Sequence, residues 1–306
     1  MMLGLRRLGV SLMKTLSRLF KPVLEFGYRT VVRLIPTNRL GDKIFSFVLF
    51  VYRHKRIPTK SLMFNDVIYQ IKVSDEILDS VRVLVSDKEF VKRYVAQVVG
   101  DQFNVPTIKI LSSVQEVETY DFPANCCIKP THASGKVILR RNNEPIDLKQ
   151  IRRWFSIDHY RSGREANYKT LKPKVIVEPV LFNDFNISDY KIFCYQGSPK
   201  LIQVNMDRFI DRKRQFLDTQ WNELFFSIND KRCERRLDKP ANLEEMLNIA
   251  AKLSQGFSFV RVDMYSDGKS CKVGEITNCS ENATGRFIPR SAEKIASQII
   301  FGQNLR

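Results

Sequence analysis

Four side chains in FVRVDMYSDGKSCKVGEITN (residues 259–278) have the chemistry to manage an anion and its counter-cation: Arg261, Asp263, Glu275 and Thr277. Val260, Val262 and Met264 alternate with Arg261, Asp263 and Tyr265, which is strand periodicity. Cys271, Val273 and Ile276 supply a second β-prone run, and Asp267-Gly268 between the runs is a hairpin signal. Arg261 and Asp263 therefore leave one face of their strand, and Glu275 and Thr277 share a face of theirs. Two readings follow. An exposed hairpin face carries such residues as ordinary salt bridges in water. A divalent-metal site uses the same types, because hard cations such as Mg²⁺ take carboxylate oxygens from rigid elements beside nucleotide phosphates.

Two other stretches bear on the choice. In IKPTHASGK (128–136) a strand ends in Lys129, and the loop Thr131–Gly135 follows. Ser134 and Gly135 are small enough for backbone N–H groups to approach phosphate oxygens; a plain hairpin loop has the same composition. In KVIVEPVL (174–181) Glu178 stands just before Pro179 at a strand end. A strand that cannot extend its ladder past proline leaves backbone donors and acceptors free. Such an edge can hold a flat heterocycle through backbone hydrogen bonds; the plain alternative is an edge strand with an exposed glutamate.

The elements that must position these residues read as follows. VPTIKIL (105–111) is a strand and 113–119 an acidic helix; CCIKP (126–130) pairs with Val137–Arg141. DYKIFCYQG (189–197) pairs with PKLIQVNM (199–206), and ANLEEMLNIAAKLSQ (241–255) is an amphipathic helix before the hairpin. Helical segments are expected near 44–53, 63–83 and 87–100.

Lysine and small-residue loop, strand with Glu, strand hairpin, helix, then RxD…ExT is the succession of the ATP-grasp fold. More closely, the chain resembles the TupA-like (teichuronopeptide-biosynthesis) ATP-grasp family of cell-surface polysaccharide loci, from about Arg53 to Pro289. The resemblance rests on SDKEFVKRYV (86–95), IKPTHASG (128–135), GREANYKTLKPKVIVEPVL (163–181), SDYKIFCYQGSPKLIQVNMDRF (188–209), LDKPANLEEMLNIAAKLSQGFSFVRVDMYSDG (237–268) and GEIT (274–277). It implies an α+β ATP-grasp fold; the residues ahead of it read as an N-terminal basic amphipathic helical extension. The expected domains are a basic amphipathic helical arm over 1–55, an N-terminal helical/αβ subdomain over 56–123, a small lobe with the phosphate loop and hinge over 124–185 and a large lobe with the metal site over 186–306.

The resemblance also implies roles. Lys88 and Lys129 look like the lysines that hold ATP phosphates, and Thr131, His132, Ser134 and Gly135 like the loop over the triphosphate. Glu178, Pro179, Val180 and Leu181 look like the adenine hinge. Asp263 and Glu275 look like the Mg²⁺-bridging carboxylates, with Arg261 against phosphate and Lys191 and Arg208 near the nucleotide or acyl phosphate. The usual third ligand, an Asn two residues after the metal Glu, is replaced by Thr277, with Asn278 next. NCSENATG (278–285) before FIP (287–289) also departs from the pattern, which implies a different acceptor pocket. Hairpin register decides whether the carboxylates meet. A two-residue turn sets Glu275 opposite Val260 on the core face. A three-residue loop, Asp267-Gly268-Lys269, sets it opposite Arg261 and beside Asp263, and is the expected register.

Of the 306 residues, 43% are hydrophobic, ordinary for a globular protein, and the net charge of +17 calls for an anionic partner. Residues 1–55 hold eleven Lys and Arg against Glu25 and Asp42, so +9 lies in that segment. Residues 1–21 read as an amphipathic helix with Leu5, Leu8, Leu12, Leu16 and Leu19 opposite Arg7, Lys14, Arg18 and Lys21. A second basic-apolar stretch runs from Val23 to Ile35. This pattern fits residues 1–35 lying on an anionic membrane surface, at the inner face of the cytoplasmic membrane; the rival reading is a helix docked on the protein's own body or on a partner. No spanning segment is expected: the apolar run Ile44–Tyr52 has about half the ~20 residues required. Charges interrupt the N-terminus too often for a secretory h-region. The six cysteines form no CxxC pair and the three histidines are far apart, which argues against zinc and for a reducing cytoplasm. No base-stacking aromatic array accompanies the charge, so nucleic acid is not the expected partner. The expected activity is an ATP-dependent carboxylate–amine ligase acting on a glycan or lipid-linked glycan with an amino acid or amine donor. The alternatives are a kinase or transferase acting on a glycan hydroxyl, or a degenerate ATP-grasp protein.

Overall fold

A computed structural model describes residues 34–206 and 213–302. The helix expected over 1–21, nearly all of the 23–35 stretch, and Arg208 lie outside the described residues. The chain divides into two compact units, Met1–Ile57 and Pro58–Arg306. In the first, helix α1 (Arg39–His54) begins five residues ahead of the expected 44. The Asn38 side chain caps it by accepting from the Gly41 N–H at 2.8 Å, and Lys55 closes it in the left-handed region at φ 59°.

The second unit opens with α2 (Phe64–Val73), α3 (Ser80–Val85) and α4 (Phe90–Val98). Its four-stranded sheet comprises β1 (Lys109–Leu111), β2 (Cys126–Pro130), β3 (Ile138–Arg140) and β4 (Val175–Glu178), in the order β1-β4-β2-β3. Helices α5 (Val114–Thr119) and α6 (Leu148–Trp154) cover it, and Val117, Ile151 and Trp154 pack with Leu111, Ile128 and Val177. This layer therefore begins at β1, ahead of the expected boundary at 124. Helix α7 (His159–Gly163) and a 3₁₀ turn over Ala166–Tyr168 lead into β4. β4 lies inside the sheet, between β1 and β2, and is not the edge strand that Pro179 suggested.

The strands of the six-stranded sheet are β5 (Asp189–Tyr195), β6 (Ser198–Met206), β7 (Lys213–Leu217), β8 (Glu223–Leu224), β10 (Phe259–Ser266) and β11 (Cys271–Thr277), while β9 (Ser227–Ile228) pairs separately with β12 (Phe287–Ile288). Its order is β11-β10-β5-β6-β7-β8, antiparallel throughout. Helix α8 (Leu243–Ser254) lays Leu243, Met246, Ala250 and Leu253 on one face, against Ile192, Ile202, Val260 and Val262. The other face is apolar at one end, where Phe193, Phe216 and Phe259 meet α2 and α9 (Ala292–Phe301). At its other end it is polar, and the register sets Glu275, Asp263, Lys191 and Gln203 in one row across four strands.

The hairpin reaches that arrangement by a different route from the expected one. Ser266 pairs with Cys271, so the loop has four residues, Asp267–Ser270, and not three. The Asp267 carboxylate holds it by accepting from the N–H groups of Lys269 (2.9 Å) and Ser270 (2.7 Å), and Gly268 takes φ +89°. That register alone would set Glu275 opposite Val262, on the core face. A bulge between Met264↔Val273 and Asp263↔Glu275 adds Gly274 to β11 and restores parity. Glycine is required there, because a Cβ would lie 2.6 Å from Cε2 of Tyr265.

Candidate functional site

Lys129, Glu178, Pro179, Val180, Leu181, Gly135, Lys88 and Glu275 line one open pocket, with Cys127, Tyr265 and Gly274. Register explains the gathering. β2 and β4 run antiparallel with Cys127 opposite Glu178 and Pro130 opposite Val175. The segment after Glu178, the expected hinge, and the loop after Pro130 therefore leave the strand pair from opposite ends. At ~3.3 Å per residue, about 13 Å separate the levels of Cys127 and Thr131.

Glu178 is buried, not exposed, and is held between two lysines: Lys129 Nζ at 2.9 Å and Lys92 Nζ at 2.7 Å. Burial alone would raise its carboxyl, but Lys129 and Lys92 outweigh that and hold it below the ordinary range. Burial likewise works against the charge on each lysine. At Lys129, Cys127 and Glu178 overcome it and raise the ammonium. At Lys92 burial wins and the ammonium is lowered, although Glu178 opposes the shift. Lys92 also donates to Val105 O and Thr107 Oγ1. Sequence reasoning does not find this residue: Lys92 stands in SDKEFVKRYV on α4, four positions after Lys88, and only the tertiary fold turns it onto Glu178.

The loop after β2 divides by role. Lys88 Nζ donates to Ala133 O at 2.6 Å, and its N–H donates to Thr131 O. Thr131 is buried and donates its hydroxyl to Asp87 at 2.9 Å, which fixes the loop's root instead of facing the pocket. His132 is buried too; burial, chiefly, lowers its imidazole. Ser134 and Gly135 are exposed at the tip. Gly135 takes φ +71° and borders open space, with no neighbouring heavy atom within 4 Å of where a Cβ would stand. The Ser134 hydroxyl stands 3.4 Å from His159 Nε2, a second residue with no signal in the sequence.

Asp263 and Glu275 face one another across the β10–β11 ladder. Asp263 is buried and takes a two-pronged contact from Arg261, Nε to Oδ1 at 2.6 Å and Nη2 to Oδ2 at 2.8 Å. Lys191 also donates to Asp263 and pairs with Asp189 at 2.9 Å. Burial opposes the charge on Arg261 and Lys191, but these carboxylates prevail and raise both. Arg261 thus commits its guanidinium to Asp263, Thr277 Oγ1 (3.1 Å) and Ser280 Oγ (2.8 Å). In this arrangement it restrains the carboxylate instead of reaching out to a phosphate. Asn278 does not join the row. Its amide donates to Arg82 O and Ser86 Oγ, and its oxygen accepts from Arg82 Nη1 at 2.9 Å. It is a buried tie between α3 and the end of β11, which removes it from the expected ligand set.

Among the described residues no group of three or more His, Cys, Asp and Glu gathers to hold a metal. Two opposed carboxylates on a rigid ladder suit a hard divalent cation whose remaining ligands are phosphate oxygens and water. All six cysteines are free thiols. No helix among the described residues is long and apolar enough to cross a membrane.

A family described as TupA-like ATPgrasp matches residues 68–301. No curated protein matches the chain. Among solved structures, the chain is similar to a D-alanine–D-alanine ligase from Bacillus anthracis complexed with ATP, at 15% identity over 64% of this chain and 55% of that one, with a TM-score of 0.39. The D-alanine–D-alanine ligase from Helicobacter pylori gives 12%, 66%, 53% and 0.37 for the same measures. A phosphoribosylamine–glycine ligase from Thermotoga maritima gives 13%, 64%, 48% and 0.36. The chain spans about half the length of these structures.

Proposed function

The chain belongs to the TupA-like ATP-grasp family, and from that premise we propose that it is an ATP-dependent ligase that joins a carboxylate to an amine on a cell-surface polysaccharide or its precursor. The observation that carries this reading is the convergence of Lys88, Lys129, the Glu178–Leu181 segment and Glu275 in one pocket. The hinge segment offers its backbone to adenine, with Glu178 set by Lys92 and Lys129. Lys88, Lys129 and the tip of the 131–135 loop neutralise and enclose the phosphates. Asp263 and Glu275 would hold Mg²⁺, whose positive charge supports phosphoryl transfer. Arg261 and Lys191 keep Asp263 fixed for that task.

In the proposed reaction the substrate carboxylate attacks the terminal phosphorus of ATP and ADP leaves. The amine nitrogen then attacks the acyl carbon of the acyl phosphate, loses a proton, and phosphate departs. The residues named supply charge and position, and no nucleophilic side chain is needed. Arg208 belongs to the same proposal as a contact for the acyl phosphate.

The basic residues 1–35 would hold the enzyme on the inner face of the cytoplasmic membrane, near lipid-linked glycan intermediates. Each cation near an anionic leaflet contributes about 1 kcal/mol. Flotation with anionic liposomes tests this: full-length protein should float and a chain starting at Lys60 should not. The chemistry is tested by mass spectrometry of the surface polysaccharide with and without the protein. Loss of an amide-linked substituent supports the ligase; loss of a phosphate ester instead would make it a kinase acting on a glycan hydroxyl.

A further inference from the structure

On that reading of the pocket, we propose that His159 contacts the terminal phosphate of the bound nucleoside triphosphate and lets the site tell triphosphate from diphosphate. The hinge and the 131–135 loop leave opposite ends of the β2–β4 pair. A nucleotide with its base at the hinge therefore points its phosphates toward the loop tip, and the terminal phosphate lies farthest along.

His159 stands at that far end. Its Nε2 is 3.4 Å from the hydroxyl of Ser134 at the exposed tip. Its ring is half-buried and rests edge-on against Tyr168, with centroids 4.5 Å apart and planes at 70°. That packing fixes the plane of the imidazole. The segment carrying both rings is itself anchored: Asn167 Nδ2 donates to Ser86 Oγ at 2.7 Å, and Asn282 Nδ2 donates to Gly163 O at 3.2 Å. Among the charges that act on the imidazole are Lys88 and Glu275, which both line the nucleotide pocket. Ser134 thus meets His159 from the loop tip, while the charges of Lys88, two residues ahead of α4, and of Glu275 on β11 act on its ring. A neutral imidazole has one ring N–H to donate, and a terminal phosphate offers acceptor oxygens.

The test is calorimetric titration of the full-length protein with Mg²⁺ and either ADP or the non-hydrolysable triphosphate AMP-PNP. His159→Phe keeps the ring contact with Tyr168 and removes the donor. It should weaken AMP-PNP about ten- to a hundred-fold, the range for a lost hydrogen bond to a charged group, and leave ADP unchanged. His159→Gln, which restores an N–H donor near the Nε2 position, should recover part of the loss. Equal weakening of both nucleotides, or of neither, overturns the assignment while leaving the nucleotide pocket standing. If the wild-type protein binds neither nucleotide, the ligase reading falls and this inference falls with it.

Discussion

Asp263 lies directly opposite Glu275 across the β10–β11 ladder, and Gly274 is the residue that allows it. The four-residue loop would turn Glu275 into the core, and the one-residue bulge turns it back. Placing the two carboxylates on one face thus depends on a single inserted residue with no side chain, covered by the Tyr265 ring.

Gly274→Val should therefore damage both stability and binding. The new Cβ would meet Cε2 of Tyr265 at 2.6 Å. We expect a loss of about 1–3 kcal/mol in urea unfolding, the usual cost of overpacking, together with weaker Mg²⁺-dependent nucleotide binding. Tyr265→Ala in the same chain should return most of the stability, because it removes the ring that clashes. A Gly274→Val protein as stable as wild type would show that the bulge is not where this register puts it.

Asp263→Asn should do more than remove a proposed metal ligand. The aspartate neutralises Arg261 and Lys191, all three being largely buried. Breaking a buried ion pair on one side costs about 3–5 kcal/mol. Lys191 keeps Asp189 at 2.9 Å, so the lower part of that range is expected. Glu275 is half-buried, and Glu275→Gln leaves the Arg261–Asp263–Lys191 contacts in place. It should abolish nucleotide turnover with a stability change under about 1 kcal/mol. Parallel unfolding curves and ADP-release assays separate the two; equal stability losses in both variants would contradict the assignment.

Much of this site can be read in the chain because its signals are local. The small-residue loop after Lys129, the proline after Glu178 and the alternation around Asp263 each lie within a few residues of the feature they specify. What cannot be read there depends on distant partners. Lys92 meets Glu178 across 86 positions, and Asn278 is occupied by Arg82 across 196. No local pattern announces either contact. Strand β4 reads as an edge because Pro179 stops its ladder, yet β1 pairs with it from Lys109–Leu111 and makes it internal. Histidines far apart in sequence, His132 and His159, come close enough to influence one another electrostatically. The loop is one residue longer than expected because Asp267 ties a four-residue turn through its own side chain. An Asp-Gly pair is compatible with turns of two, three or four residues.

Glu178 should make the protein acid-sensitive. Its folded-state pKa is lowered by Lys129 and Lys92 against the effect of burial. A depressed carboxyl contributes stability that is present above the unfolded value, about 4.3 for glutamate, and is lost as pH falls through the folded value. Glu178→Gln should therefore be less stable than wild type at pH 7, with the gap shrinking below about pH 4. Unfolding free energies measured from pH 3 to pH 8 check the sign; a gap that widens in acid would refute it.

Glu165 should behave in the opposite sense. It is buried, and burial, opposed by Lys72 and reinforced by Glu275, pushes its carboxyl up to about 7. A raised pKa means that the folded state favours the protonated form. Stability from this group is therefore fully present below the unfolded value of about 4.3 and is lost as pH rises to about 7. Glutamine mimics the protonated form and does not titrate. Relative to wild type, Glu165→Gln should gain stability between pH 4 and pH 8, by roughly 3–4 kcal/mol if the full shift is expressed at 1.36 kcal/mol per unit. The two variants, followed by urea unfolding over one pH series, should thus give differences from wild type that both change with pH: for Glu178→Gln the deficit closes in acid, and for Glu165→Gln the advantage opens toward alkali. A pH-independent difference for Glu165→Gln would mean that its carboxyl is ionised in the folded protein throughout this range, with Lys72 as an effective counter-charge despite the burial.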